Sequence, residues 1–236
     1  MAIINKEYYE EYWKNWGELK SQGPASRHVR RIIFSILSKI RFSSIFDVGC
    51  GTGTFLQEIS KKYPSVKIHG SDFADESVDI AQKNNPGGHF LQLDIAQASP
   101  SQKYELVTCI DVLEHIQDDV KALQNMHVMT GKYFLLIVPT GPLFHQEAQN
   151  VGHVHGFSKT EINRKLEQVG FKIIKKIAWG FPLYIIYRRV IMNFPQQKLR
   201  KETGFLKRLF SSILYFLLFF NLPVWGDRYF VLCEKL

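Results

Sequence analysis

At 236 residues the chain is long enough for one α/β domain with a sizeable core, and its 45% hydrophobic content excludes a disordered protein. Three widely spaced cysteines, Cys50, Cys109 and Cys233, exclude a disulfide framework or a cysteine metal site and fit a reducing cytoplasm. A formal charge of +8 leaves two readings, plain solubility or an anionic partner such as a membrane surface, nucleic acid or acidic substrate. Residues 1–5 have no basic stretch leading into an apolar core, so no signal peptide is expected.

Residues 6–40 predict two helices. The first is aromatic, with Tyr8, Tyr9, Tyr12, Trp13 and Trp16. Gly23-Pro24 breaks the chain, and Arg27 to Arg31 leads into an apolar run over 32–40 at helical spacing. This region is either a layer on one sheet face or a lid over a ligand.

Residues 45–48 are short, apolar and β-branched, as a buried parallel strand should be. A glycine turn with Gly49, Gly51 and Gly53 follows, then a helix-compatible run over 55–59. Such a turn presents backbone N–H groups to a ligand at the carboxyl edge of a sheet. Thr54 stands where a dinucleotide fingerprint needs its third glycine, and no P-loop lysine follows, so pyrophosphate is disfavoured. Asp47, inside the strand end, suits a ligand carrying cationic groups.

Asp47-Val48-Gly49-Cys50-Gly51-Thr52-Gly53 resembles the first motif of class I S-adenosylmethionine-dependent methyltransferases. The resemblance implies a Rossmann-like, doubly wound, seven-stranded and mostly parallel sheet. Its last strand would be antiparallel, with helices on both faces. It also implies S-adenosylmethionine as cofactor, S-adenosylhomocysteine as product, and Asp47, Gly49, Cys50 and Gly51 as cofactor contacts.

A second strand over 66–70 ends at Asp72-Phe73, about twenty residues past the glycines, where an acid can reach a ribose. A helix over 76–83 stops at Asn84-Asn85-Pro86. A third strand over 90–93 ends at Asp94-Ile95. Asp94 resembles the family's adenine contact, and it could instead cap the next segment.

The fourth strand, 104–110, ends at Ile110 and runs into Asp111-Val112-Leu113-Glu114-His115. This resembles the Asp-x-x-Glu-His segment of ubiquinone-biosynthesis-type methyltransferases. The expected cofactor set is therefore Asp47, Gly49, Cys50, Gly51, Asp72, Phe73, Asp94, Ile95 and Ile110. His115 is the expected general base, with His155 the second catalytic candidate. Asp111, Glu114, His115 and His155 could together hold a divalent metal. They resemble the Glu-x-x-Glu-His…His set of metal-dependent O-methyltransferases acting on RNA 3′ ends and catechol-type quinone precursors, with Asp111 one methylene shorter.

A fifth strand over 132–138 is nearly all apolar. A loop with His145, His153 and His155 follows, and His153 and His155 could line an acceptor pocket. Ser158 and Glu161 form a capping box opening a helix over 161–169, and 171–178 is a sixth strand. The last strand is 228–234. Between these two strands, residues 180–227 hold a basic run (Lys198, Arg200, Lys201, Lys207, Arg208) and an apolar block over 209–222, shorter than the ~20 residues of a spanning helix. This insertion could be a lid, a homodimer surface, or a contact with a membrane interface. Nucleic acid is disfavoured, because the charge sits beside an apolar block and not along a stacking platform.

The expectation is a single domain over 1–236: a helical lid at 1–40, a cofactor core at 41–179, the insertion at 180–227 and a last strand at 228–236. It would carry out O-methylation of a small or lipid-like metabolite, in the cytoplasm or peripherally on a membrane. A nicotinamide (NAD)-dependent oxidoreductase, or a non-catalytic cofactor-binding subunit of a membrane complex, are the alternatives.

Overall fold

The computed structural model describes residues 23–143, 152–193 and 205–236. The aromatic helix expected before residue 23, His145 and the basic residues 198–201 lie outside them.

In chain order the elements are α1 (Pro24–Leu37), β1 (Ser44–Val48), α2 (Thr54–Lys62), β2 (Lys67–Asp72), α3 (Asp75–Asn84), β3 (His89–Gln92) and β4 (Tyr104–Ile110). A 3-10 turn at Leu113–His115 follows, then α4 (Asp119–Met129), β5 (Thr130–Pro139), α5 (Lys159–Gln168) and β6 (Phe171–Trp179). The insertion supplies α6 (Leu183–Asn193), α7 (Phe205–Leu217) and a 3-10 turn at Leu218–Phe220 before β7 (Arg228–Lys235).

The seven strands lie in the order β3-β2-β1-β4-β5-β7-β6. β1 to β5 pair in parallel, and β7 runs antiparallel between β5 and β6. Helices cover both faces because the central strands are apolar on both. On β5, Phe134, Leu136 and Val138 point to the face covered by α4 and α5; Tyr133, Leu135 and Ile137 point to the face covered by α1 and α2. β7 alternates the same way, with Val231 and Cys233 opposite Phe230 and Leu232. The edge strand β6 exposes Lys172, Lys175 and Lys176, which discourages further strand pairing.

α5 begins with the expected capping box: the Glu161 N–H donates to Ser158 Oγ at 3.0 Å. α4 had no counterpart in the sequence reading. The two ends of the insertion are tied to each other at its stem. The Leu222 N–H donates to the Phe181 carbonyl at 2.8 Å, and the Phe181 N–H to the Trp225 carbonyl at 3.1 Å. Asn221 Oδ1 accepts from the N–H groups of Leu183 and Tyr184, satisfying the otherwise orphaned start of α6. Among the described residues no helix is long and apolar enough to cross a membrane.

Candidate active site

β1 and β4 are neighbours although the chain visits β2 and β3 between them, so a crevice opens at their carboxyl ends. Asp47, ending β1, is buried and accepts from the Thr108 hydroxyl at 2.5 Å. Burial pushes its carboxyl up, the Thr108 bond pulls it back and the nearby Asp72 charge adds to the rise, leaving it at about 7. The turn that follows needs its glycines. Gly49 and Gly53 have φ of 69° and 73°, and a Cβ at Gly49 would collide with Val112. Burial first, then Asp47 and Asp72, pushes the Cys50 thiol well above its ordinary value, so it is no nucleophile.

Asp72 holds this turn in shape. Its carboxylate accepts from the Gly51 N–H at 2.8 Å and the Ala74 N–H at 3.1 Å. Asp94 accepts from the Ala96 N–H at 2.9 Å, the capping role that sequence left open beside an adenine contact. Phe73 is 43% exposed beside the end of β2. The Ile95 side chain is buried in the core, and its carbonyl accepts from Asn125 at 2.7 Å.

A cleft of about 300 Å³ opens over the turn, at the lower end of the range for small-ligand sites. Asp47, Gly49, Cys50 and Ile110 line it from the sheet. Ala25, Val29 and Ile33 of α1 line it too, while Ile32, Ile36 and Leu37 of the same helix pack into the core. α1 thus serves both as covering layer and as cleft wall. Of the expected cofactor set, Gly51, Asp72, Phe73, Asp94 and Ile95 are not in the lining.

Opposite the glycine turn stand Asp111, Glu114, His153, Tyr184, Arg188 and Arg228. Asp111 sits at φ 56°, a conformation uncommon for any residue but glycine. Its carboxylate pairs with Arg228 at 2.6 Å. Burial works against the Arg228 charge, but Asp111, Tyr184 and Glu114 outweigh it and raise the guanidinium's pKa. Arg188 pairs with Asp227 at 2.6 Å. Sequence reasoning missed Tyr184, Arg188 and Arg228. Only the pairing of β7 with β5, which sets Arg228 opposite Pro139, brings Arg228 to the crevice.

The histidines divide, and of the two offered as pocket lining only His153 takes that place. His153 lines the cleft, with Nε2 3.9 Å from Glu114 Oε1. His115 is not in the lining; its Nδ1 is 3.2 Å from the Gly152 carbonyl and its ring meets His153 edge-on at 4.9 Å. His155 turns away, with Nε2 2.9 Å from the Ile116 carbonyl and its ring stacked on Phe157. Of the expected metal set, Glu114 and His115 come together with His153, their donor atoms all within 4.8 Å. Asp111 and His155 do not join them: Asp111 is taken by Arg228, and His155 by the Ile116 carbonyl with Asp119 at 3.8 Å.

Sheet order, glycine turn and buried acid define a Rossmann-like protein with a nucleoside-type cofactor crevice. A methyltransferase domain is matched over residues 22–176, about two-thirds of the sequence, and the chain belongs to that family. It is 27% identical over 133 residues to malonyl-[acyl-carrier protein] O-methyltransferase 1 of Ilyobacter polytropus, covering 54% of this chain and 49% of that protein. It is 27% identical over 111 residues to the ubiquinone biosynthesis O-methyltransferase of Actinobacillus pleuropneumoniae, covering 42% and 43%. The match therefore spans less than half the length of each relative. The magnesium protoporphyrin IX methyltransferase of Synechocystis, solved with bound S-adenosylhomocysteine, has the same fold: TM-score 0.62, 15% identity, 98% and 100% of the two chains covered. A TehB-like S-adenosylmethionine-dependent methyltransferase from Corynebacterium glutamicum gives 0.60, 17%, and 98% and 100%.

Proposed function

We propose that this protein transfers the methyl group of S-adenosylmethionine to an oxygen of a small or lipid-like metabolite. One observation carries the reading: the glycine turn with Asp47 and the pair Glu114–His153 face each other across a single cleft. The cofactor supplies an already activated methyl group. The chain's own task is to hold the acceptor oxygen in line and keep water out. The glycines leave room for close approach, Asp47 offers a carboxylate to a cationic group, and Asp72 keeps the turn in place. Asp72, Phe73 and Asp94, at the ends of β2 and β3, are the residues whose chemistry suits the nucleoside. His153 is the base that can reach an acceptor hydroxyl, with the Glu114 carboxylate 3.9 Å behind it. His115 acts behind it, as a positioning residue. The two relatives methylating oxygen support the choice of acceptor atom.

A second reading is favoured by the donor cluster itself. Two imidazoles and a buried carboxylate fit a divalent transition metal. Glu114, His115 and His153 would hold it, and it would lower the pKa of an acceptor hydroxyl. Calorimetry decides the cofactor: S-adenosylmethionine should bind and NAD should not. Elemental analysis of protein purified without chelator decides the metal, and turnover with candidate hydroxyl acceptors decides enzyme against a binding subunit.

A further inference from the structure

The helices of the insertion are apolar on both sides. α7 turns Tyr215 toward α1, and in the 3-10 turn that continues it Leu218 is buried. Its other side carries Leu209, Ile213 and Phe216, and Phe220 extends the row into that turn. Their spacing of i, i+4, i+7 and i+11 makes one stripe. All four are exposed, Phe216 at 63% and Phe220 at 64%. α6 repeats the arrangement: Tyr184 and Arg188 face the cleft, while Ile186 and Val190 are exposed. Apolar stripes of this size on a protein surface mark contact sites.

The stripe has a basic border. Arg27 and Arg31, both exposed on α1, lie over the rings of Tyr215 and Phe219 at 3.8 and 4.6 Å. Arg189 is exposed beside Val190. In sequence, residues 180–226 hold seven Lys and Arg against one acid, Glu202, which is +6 of the chain's formal +8.

We propose that this face docks on an anionic lipid bilayer. The aromatic stripe enters the boundary between headgroups and acyl chains, and Arg27, Arg31 and Arg189 meet the phosphates. A second copy of the chain is the poorer occupant, because a self-complementary contact would bring like charges together. No described helix can span a bilayer, so the helices lie along its surface. Docking in this way sets the Tyr184–Arg188 wall of the cleft about one helix diameter, roughly 10 Å, from lipid.

The 236-residue chain is floated through sucrose with vesicles of phosphatidylcholine alone, or with about one-third phosphatidylglycerol. It should rise with the anionic vesicles and bind neutral ones at least about tenfold more weakly, and salt of about 0.5 M should release it. The variants I213E/F216E and R27Q/R31Q should each bind anionic vesicles about tenfold more weakly with cofactor affinity unchanged, and I213E/F216E should leave thermal unfolding unchanged as well. Failure of the unaltered chain to float with anionic vesicles overturns the proposal whatever the variants do. So does equal binding to neutral vesicles, or a dimer in light scattering that I213E/F216E splits while vesicles bind neither protein. Vesicle binding is read without cofactor or acceptor, so it stands or falls separately from methyl transfer.

Discussion

Replacing Asp47 by Asn should stabilise the free protein and weaken its hold on S-adenosylmethionine. The Asp47 carboxyl is 4% exposed and lifted to about 7 by burial, against the Thr108 hydrogen bond and with help from Asp72. Its folded pKa therefore exceeds its unfolded one. The unfolded chain ionises it first, so stability is lost as pH rises from the ordinary carboxyl value through about 7. Over that interval the cost reaches on the order of 4 kcal/mol. An amide keeps the shape and still accepts from Thr108, so Asp47→Asn removes most of this cost above neutrality and little of it near pH 4. Urea unfolding of both proteins at about pH 8 and pH 4.5 measures the difference. In the cofactor complex the sign reverses. A bound ammonium favours the carboxylate, so wild-type affinity should climb up to about tenfold per pH unit and level off above 7. His153 also faces the cleft, so the comparison of wild type with variant carries the test, not the wild-type curve alone. A stability gain equal at both pH values would refute the reasoning, as would an unchanged pH profile of affinity in the Asn variant.

Gly53→Ala should lower stability by about 1–3 kcal/mol in thermal unfolding and weaken cofactor binding, because φ is 73° and the new Cβ would press on Ala81 and Asn85. Asp111→Asn keeps a residue tolerant of positive φ but leaves the Arg228 charge without its ion pair, and should cost about 2 kcal/mol in urea unfolding. His153→Ala should abolish most turnover with cofactor affinity intact, and His115→Ala should cost less. If a metal sits at Glu114, His115 and His153, either change should also lower the metal content found by elemental analysis. His28 is buried against Trp179, and burial lowers its pKa, the Tyr215 carbonyl raises it and Arg31 and Arg27 lower it further. Its contribution to stability is present above the ordinary histidine value and lost as pH falls below it; His28→Gln should flatten that slope in unfolding measured between about pH 7 and 5.

What was legible in the sequence was local. The strands were found as short apolar runs, several of them ending at glycine or aspartate, and the glycine turn was found because three glycines follow the first such run. α4 escaped because two of its buried positions are polar. Asp119 is paired with Lys165 of α5, and Asn125 donates to the Ile95 carbonyl, so the helical period reads as broken until distant partners are in place. The same reason explains the histidines. His115 follows Glu114 in sequence, but the one turn of 3-10 helix aims it at the Gly152 carbonyl, and His153, 38 residues on, takes the cleft. Arg228 and Asp111 are 117 residues apart and meet only because β7 inserts between β5 and β6. The cofactor side of the cleft is thus written in backbone conformation, which short motifs specify. The acceptor side is written in buried charge pairs, whose members are chosen by sheet order. A buried acid in a sequence predicts that a partner exists, because the cost of burying it alone is too high, but only the topology says which residue that partner is.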